Sequence, residues 1–154
     1  MVLVRVRGRV HVRGNISDTL RMLNLTRINH CSLVYGKIRF KGMIAKVKDY
    51  MTFGEVNEKA LIRLLKERGR IVGDKPLTDA YVKANSKFDS IKSLSEGLLK
   101  GEATLRDVQG LKKVFRLNPP KKGFERKGVK VPYANHGALG YRADKINDLI
   151  ERMI

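Results

Sequence analysis

Within its first 56 residues the chain switches its hydrophobic period between two and three-to-four again and again, and any fold must accommodate that alternation. Val2, Val4, Val6, Val10 and Val12 share one parity, while Leu3, Arg5, Arg7, Arg9, His11 and Arg13 share the other. A period of two describes a strand with an apolar face and a basic face, although the part beyond Gly8 also reads as a loop. Asn15 or Ser17 can cap a helix, with Asp18 in its first turn, and Ile16, Leu20 and Leu23 fall on one side of it. A second strand is predicted from about Ile28 to Tyr35, with Cys31, Leu33 and Tyr35 on one side. GKIRFKG (36–42) reads as a short basic loop, Met43, Ile44, Val47 and Tyr50 as a second amphipathic helix, and Thr52–Val56 as a third strand. The order β-α-β-α-β in so short a length predicts a compact split sandwich, with both outer strands antiparallel to the first and the helices on one face. Its other face would be left for a partner or for the rest of the chain.

Residues 57–118 are helical in pattern. Asn57 caps a helix with the stripe Leu61, Leu64 and Leu65 that stops at Arg68-Gly69. Thr78 starts a short one, and Ser90 or Ser93 opens another that carries Ile91, Leu94 and Leu98 and ends at Gly101. One further turn fits Thr104 to Gly110, and VFRL (114–117) is strand-like. Ile146, Leu149, Ile150 and Met153 mark a C-terminal helix.

Between the last two lies PPKKGFERKGVKVPYANHGALGYR (119–142), where Lys121, Lys122, Arg126, Lys127, Lys130 and Arg142 face a single acid, Glu125. Its four glycines and three prolines interrupt any long helix or strand. With almost no aliphatic content, the segment is expected to need a large anion to complete its contacts, anchored by the ordered elements on either side.

Charge points the same way. The chain of 154 residues carries 33 Lys+Arg against 15 Asp+Glu, a net +18, and half of that excess falls in residues 1–54. So cationic a surface repels itself unless a polyanion relieves it. Arg5, Arg7, Arg9 and Arg13 on the first strand, Arg27 in the connection after the first helix, Lys37, Arg39 and Lys41 in the 36–42 loop, and Lys121, Lys122, Arg126, Lys127, Lys130 and Arg142 are the expected phosphate contacts. Tyr133 and His136, with Phe124 and Tyr141, could stack on unpaired bases or pack against the chain's own helices.

The same residues argue against catalysis. His11, His30 and His136 have no metal-ligand spacing with one another or with Cys31, and neither a phosphate-binding P-loop nor a nucleophile elbow occurs. No catalytic residue, metal or cofactor is expected. Cys31 is alone, which suits a reducing compartment, and His30 beside it reads as a surface group next to a small core residue. No apolar run approaches a membrane span and the start lacks a secretory h-region, so a cytoplasmic protein without a membrane partner is expected.

Quoted as they stand, VLVRVRG, SDTLRMLNLTRINHC and GMIAKVKDYMTFGEV resemble the ribosomal large-subunit protein family L-thirty. ALIRLLKERGRIVG, KPLTDAYV, SIKSLSEGLLKGEATL, VFRLNPPKKGFERKGVK, GALGYR and KINDLIERM resemble its long archaeal form, related to the eukaryotic L-seven proteins. The resemblance implies an α+β fold. By that resemblance a ferredoxin-like core would occupy residues 1–56, with a three-stranded antiparallel sheet in the order 3-1-2. A mostly helical extension, 57–154, carries the basic loop and the last helix. It also implies a structural constituent of the large ribosomal subunit that binds folded 23S rRNA, meets neighbouring ribosomal proteins and is monomeric outside the ribosome, with 5S rRNA open as a second partner. A non-ribosomal RNA-binding factor or an RNA-modifying enzyme is the alternative.

Overall fold

Every residue of the first strand, β1 (Val2–Arg5), is buried, so both of its faces are covered. The computed structural model describes residues 1–35 and 37–154, excluding the side chains of 37–39. Its elements follow in the order α1 (Gly14–Met22), β2 (His30–Leu33), α2 (Lys37–Val47), β3 (Met51–Gly54), α3 (Glu58–Arg68), α4 (Asp79–Asn85), α5 (Ile91–Lys100), β4 (Val114–Arg116), β5 (Gly140–Tyr141) and α6 (Ile146–Met153), with single 3-10 turns at Tyr133–Asn135 and Ala143–Lys145.

The alternation of period thus yields the predicted β-α-β-α-β start, and β1 lies between β2 and β3, antiparallel to both. The sheet nevertheless has five strands, in the order β4-β2-β1-β3-β5, rather than the expected three. β4 joins the edge of β2 antiparallel, and β5 joins β3 in parallel. Both additions come from the second half of the chain and cover edges that a three-stranded sheet would leave open.

Side chains alternate across β1 into two cores. Leu3 points to a layer built by α1 and α2, where it meets Leu20, Leu23, Leu25, Ile44, Val47 and Met51. Val2 and Val4, with Cys31 of β2 and Phe115 of β4, enter a larger core with α3, α5 and α6. The face that the first 56 residues leave bare is therefore filled by the chain itself, giving helices on both sides of one sheet. This double cover also corrects the basic face expected on the first strand. Past Arg5 the chain leaves the sheet, and the amides of Val6 and Arg7 both donate to the Tyr50 carbonyl, at 3.0 and 3.1 Å. The valine–arginine alternation from Val6 to Arg13 is loop, with His11 at φ 55°.

Local chemistry sets the helix ends as read. The Asn57 side chain accepts from the Ala60 amide at 2.8 Å, Thr78 and Ser90 cap α4 and α5, and Gly101 ends α5 at φ 81°. α1 differs: Arg13 precedes it and no side chain caps it, so neither Asn15 nor Ser17 does so. Residues 37–42 belong to α2 instead of forming the basic loop expected there. In α6 the four stripe residues Ile146, Leu149, Ile150 and Met153 are fully buried, each worth about 1.5–3 kcal/mol of transfer free energy.

Gly54 lets α6 approach the sheet. A Cβ there would stand 2.1 Å from the Ala143 carbonyl oxygen and 2.9 Å from Ile146 Cγ2. Since a backbone oxygen cannot swing aside, Gly54→Ala should destabilise the protein by about 2–3 kcal/mol in urea unfolding. A loss below about 0.5 kcal/mol would mean that the contact gives way freely.

Candidate nucleic-acid interface

Strand register decides where the charge goes. Arg5 at the end of β1 faces Met51 at the start of β3, and Val4 faces Cys31, next to the start of β2. His30 pairs with Arg116 at the end of β4, and Gly140, the start of β5, pairs with Thr52. Loops 6–13 and 117–139 and the stretch entering β2 therefore all meet at the same end of the sheet. Val6 is buried there against Ala138 and Leu139, with Phe124 and Val129 packed alongside, so the root of the N-terminal loop and the basic stretch share one small apolar cluster. Arg9, Arg13, Arg27, Lys121, Lys122, Arg126, Lys127 and Lys130 are exposed on these segments. None of them makes an ion pair among the described residues.

The basic stretch does fold around its own side chains, contrary to expectation, and Arg142 is the reason. Its side chain is 1% exposed and its guanidinium forms a two-pronged pair with Glu125, at 2.6 and 3.1 Å. The same group donates to Thr52 Oγ1 at 2.8 Å and to the Ala138 carbonyl at 3.0 Å, and it lies 4.5 Å from the centre of the Tyr133 ring. One cation thus ties β3, the 125 turn and the 133–138 turn together. Burial pushes the Glu125 carboxyl upward, but the Arg142 hydrogen bond, a backbone hydrogen bond and the charges of Arg142 and Arg152 together hold it below the usual value. Arg152 of α6 donates to the Gly123 carbonyl at 2.9 Å, and the Lys121 amide donates back to the Arg152 carbonyl at 2.9 Å. Gly137 is required by closeness, since a Cβ there would lie 2.0 Å from the Val131 carbonyl oxygen.

Arg5 is likewise interior rather than a phosphate contact. It donates to the carbonyls of Leu25, Thr26, Arg7 and Gly8 at 2.8, 3.2, 2.9 and 2.8 Å. Burial, and then the neighbouring Arg9, lower its pKa from the ordinary guanidinium value. Arg7 is half-buried over the Tyr50 ring, with its guanidinium 4.9 Å from the ring centre. Lys41 is exposed, on the helix that follows the far end of β2, away from the loop cluster. The Lys37 and Arg39 side chains lie outside the described residues. Tyr133 is half-buried and His136 exposed. Phe124 is half-buried in the small apolar cluster and serves the fold, whereas Tyr141 is exposed, with its hydroxyl donating to Glu55 at 2.8 Å.

The sequence reading gave Glu125 no role as a partner and did not single out Arg152. The available signal was the isolation of Glu125, the sole acid in a run of cations. His30 is half-buried and its Nδ1 shares a 3.1 Å hydrogen bond with the Thr26 hydroxyl. Burial, with Arg116, Arg27 and Arg5 nearby, lowers its pKa. Cys31 is fully buried, which pushes its thiol far up and leaves it a small apolar side chain. Among the described residues no group of histidines, cysteines and acids is placed to hold a metal ion, and no helix is long and apolar enough to cross a membrane.

Comparison with known proteins agrees with the resemblance drawn from the quoted stretches. The family described as ribosomal protein L30p/L7e matches residues 1–51. The large ribosomal subunit protein uL30 of Methanosphaera stadtmanae is 48% identical over 152 residues, covering 99% of this chain and 98% of its own length. That of Methanopyrus kandleri is 48% identical over 149 residues, covering 97% of this chain and all of its own. That of Methanoregula boonei is 50% identical over 152 residues, covering 98% and 97%. With this identity sustained over both the sheet and the helical extension, the chain belongs to the ribosomal protein L30p/L7e family.

Proposed function

We propose that the chain is a structural, non-catalytic constituent of the large ribosomal subunit in the cytoplasm, and that it holds folded rRNA with the cationic end of its sheet. The observation that carries this reading is the convergence of loops 6–13 and 117–139 on one end, with exposed arginines and lysines that make no ion pair among the described residues. Such a surface is left to phosphates, and each contact releases counterions and makes affinity fall with salt. Arg9, Arg13, Arg27, Lys121, Lys122, Arg126, Lys127 and Lys130 are the contacts we assign, with Tyr133 and His136 among them. Lys41 at the far end gives a second point of attachment. Large-subunit rRNA of the 23S type is the main partner, 5S rRNA a further one, and the free protein is a monomer. Residues 1–56 form the ferredoxin-like rRNA-binding core, and residues 57–154 form the helical extension that carries the basic loop and the last helix.

Changing Lys121, Lys122, Lys127 and Lys130 together to glutamine removes four charges from the net +18. The slope of log affinity against log salt should flatten by about two to three, and binding near physiological salt should weaken about 100-fold. Filter binding to large-subunit rRNA across a salt series measures both. Unaltered slope and affinity would remove the loop from the interface.

A further inference from the structure

Glu125, Arg126, Lys127, Tyr133, Ala134 and His136 line a hollow at the outer side of the basic stretch. Its chemistry is more particular than a cationic patch. Tyr133 has the Arg142 guanidinium 4.5 Å from its ring centre, and that guanidinium is itself almost fully buried. The ring is therefore fixed from below by a cation that is held in turn by Glu125 and Thr52. What remains exposed of Tyr133 looks into the hollow. Around the rim stand Arg126, Lys127 and His136, all exposed. The rim is fixed by backbone bonds: the Lys127 amide donates to the His136 carbonyl at 3.3 Å, and the His136 amide donates to the Tyr133 carbonyl at 3.0 Å. His136 holds a left-handed conformation at φ 63° to make this turn. The carboxylate on the wall does not repel an anion as a free acid would, because Arg142 and Arg152 flank it.

We propose that this hollow takes one unpaired nucleotide of the RNA, with the base stacked on the outer face of Tyr133 and its phosphate against Arg126 and Lys127. The inference rests on the rRNA-binding reading above and specifies what this part of the surface recognises. A flat ring already immobilised by a buried cation loses little freedom when a base settles on it, which favours stacking over a phosphate contact alone. A paired base cannot present its face, so the nucleotide comes from a loop, bulge or end.

The chain contains no tryptophan, so Tyr133→Trp places a single fluorophore in the hollow. Its emission should be quenched by a short single-stranded oligoadenylate and left unchanged by inorganic tripolyphosphate. Equal responses to the two, or none to the oligoadenylate, overturn the proposal. In parallel, Tyr133→Ala should weaken binding of large-subunit rRNA about tenfold or more with the salt slope retained, while Tyr133→Phe stays near wild type. A native, stable Tyr133→Ala protein that binds rRNA as tightly as wild type sinks the stacking site and leaves the ribosomal reading standing. Wild-type protein indifferent to rRNA near physiological salt sinks both. Should Tyr133→Ala lose thermal stability, the fluorescence comparison decides.

Discussion

Replacing Arg142 by glutamine will cost the fold about 3 kcal/mol and release residues 119–139 from the end of the sheet. The guanidinium is 1% exposed and makes hydrogen bonds to Glu125, Thr52 and Ala138. Its loss leaves a carboxylate that is itself only 21% exposed with Arg152, 3.6 Å away, as its remaining cationic partner. Partial access of water to that carboxylate keeps the expected loss at the lower end for a broken interior pair. Glu125→Gln should cost a comparable amount by leaving the buried cation unmatched, and the double variant should lose less than the two combined. Two further readouts separate this from a general loss of packing. Trypsin should cleave after Lys121, Lys122, Arg126 and Lys127 far faster in the variant, because these exposed sites would no longer be held in turns. The pH dependence should also change. The Glu125 carboxyl lies below its ordinary value of 4.5 in the folded chain. The stability it contributes is therefore complete above that value and is lost as the pH falls through the lower folded one. Without Arg142 that acid-side slope should flatten. An Arg142→Gln protein with wild-type stability and protease resistance would show that the basic stretch is held by its turns alone.

How far the sequence alone reaches depends on the range of the interaction. The β-α-β-α-β start, the caps at Asn57, Thr78 and Ser90, and the stripe of α6 are legible because neighbours a few residues apart set them. β5 is a two-residue strand containing Gly140 that pairs with β3 across nearly ninety positions, so no local period announces it. The fate of an arginine is harder still. Arg5 and Arg142 look the same in sequence as Arg9 and Arg126. They become interior because Leu25, Thr26, Thr52 and Glu125 are brought to them by the fold. A guanidinium that satisfies buried carbonyls or a carboxylate leaves no compositional trace. The basic surface was thus visible as a total, while its division into interior anchors and free contacts was not. The same holds for the valines and arginines of 6–13. Their alternation imitates a strand, but the sheet ends at Arg5, where β3 and β2 also begin.

Phe115→Ala should be the most damaging change in the apolar interior, with an expected loss of about 3–5 kcal/mol. Phe115 is fully buried at the centre of β4, paired with Cys31 of β2, and it belongs to the core that contains α3, α5 and α6. No small neighbour can fill the space of a lost ring without moving the sheet edge or a helix. The location gives the experiment a second use. Val2 and Val4 of the first half share this core with Leu64, Leu94 and Ile150 of the second. If the two halves form one cooperative unit, Phe115→Ala will lower hydrogen-exchange protection equally at the β1 amides and along α3 and α6. Protection retained in β1, β2 and β3 while α3 and α6 exchange freely would show that the first 56 residues fold independently of the extension. The shared core favours a single transition, because removing the extension would expose Val2, Val4 and Cys31 to water on one whole face of the sheet. The loops that carry the free cations would then depend on the extension twice over, for the Arg142 anchor and for the sheet from which they emerge.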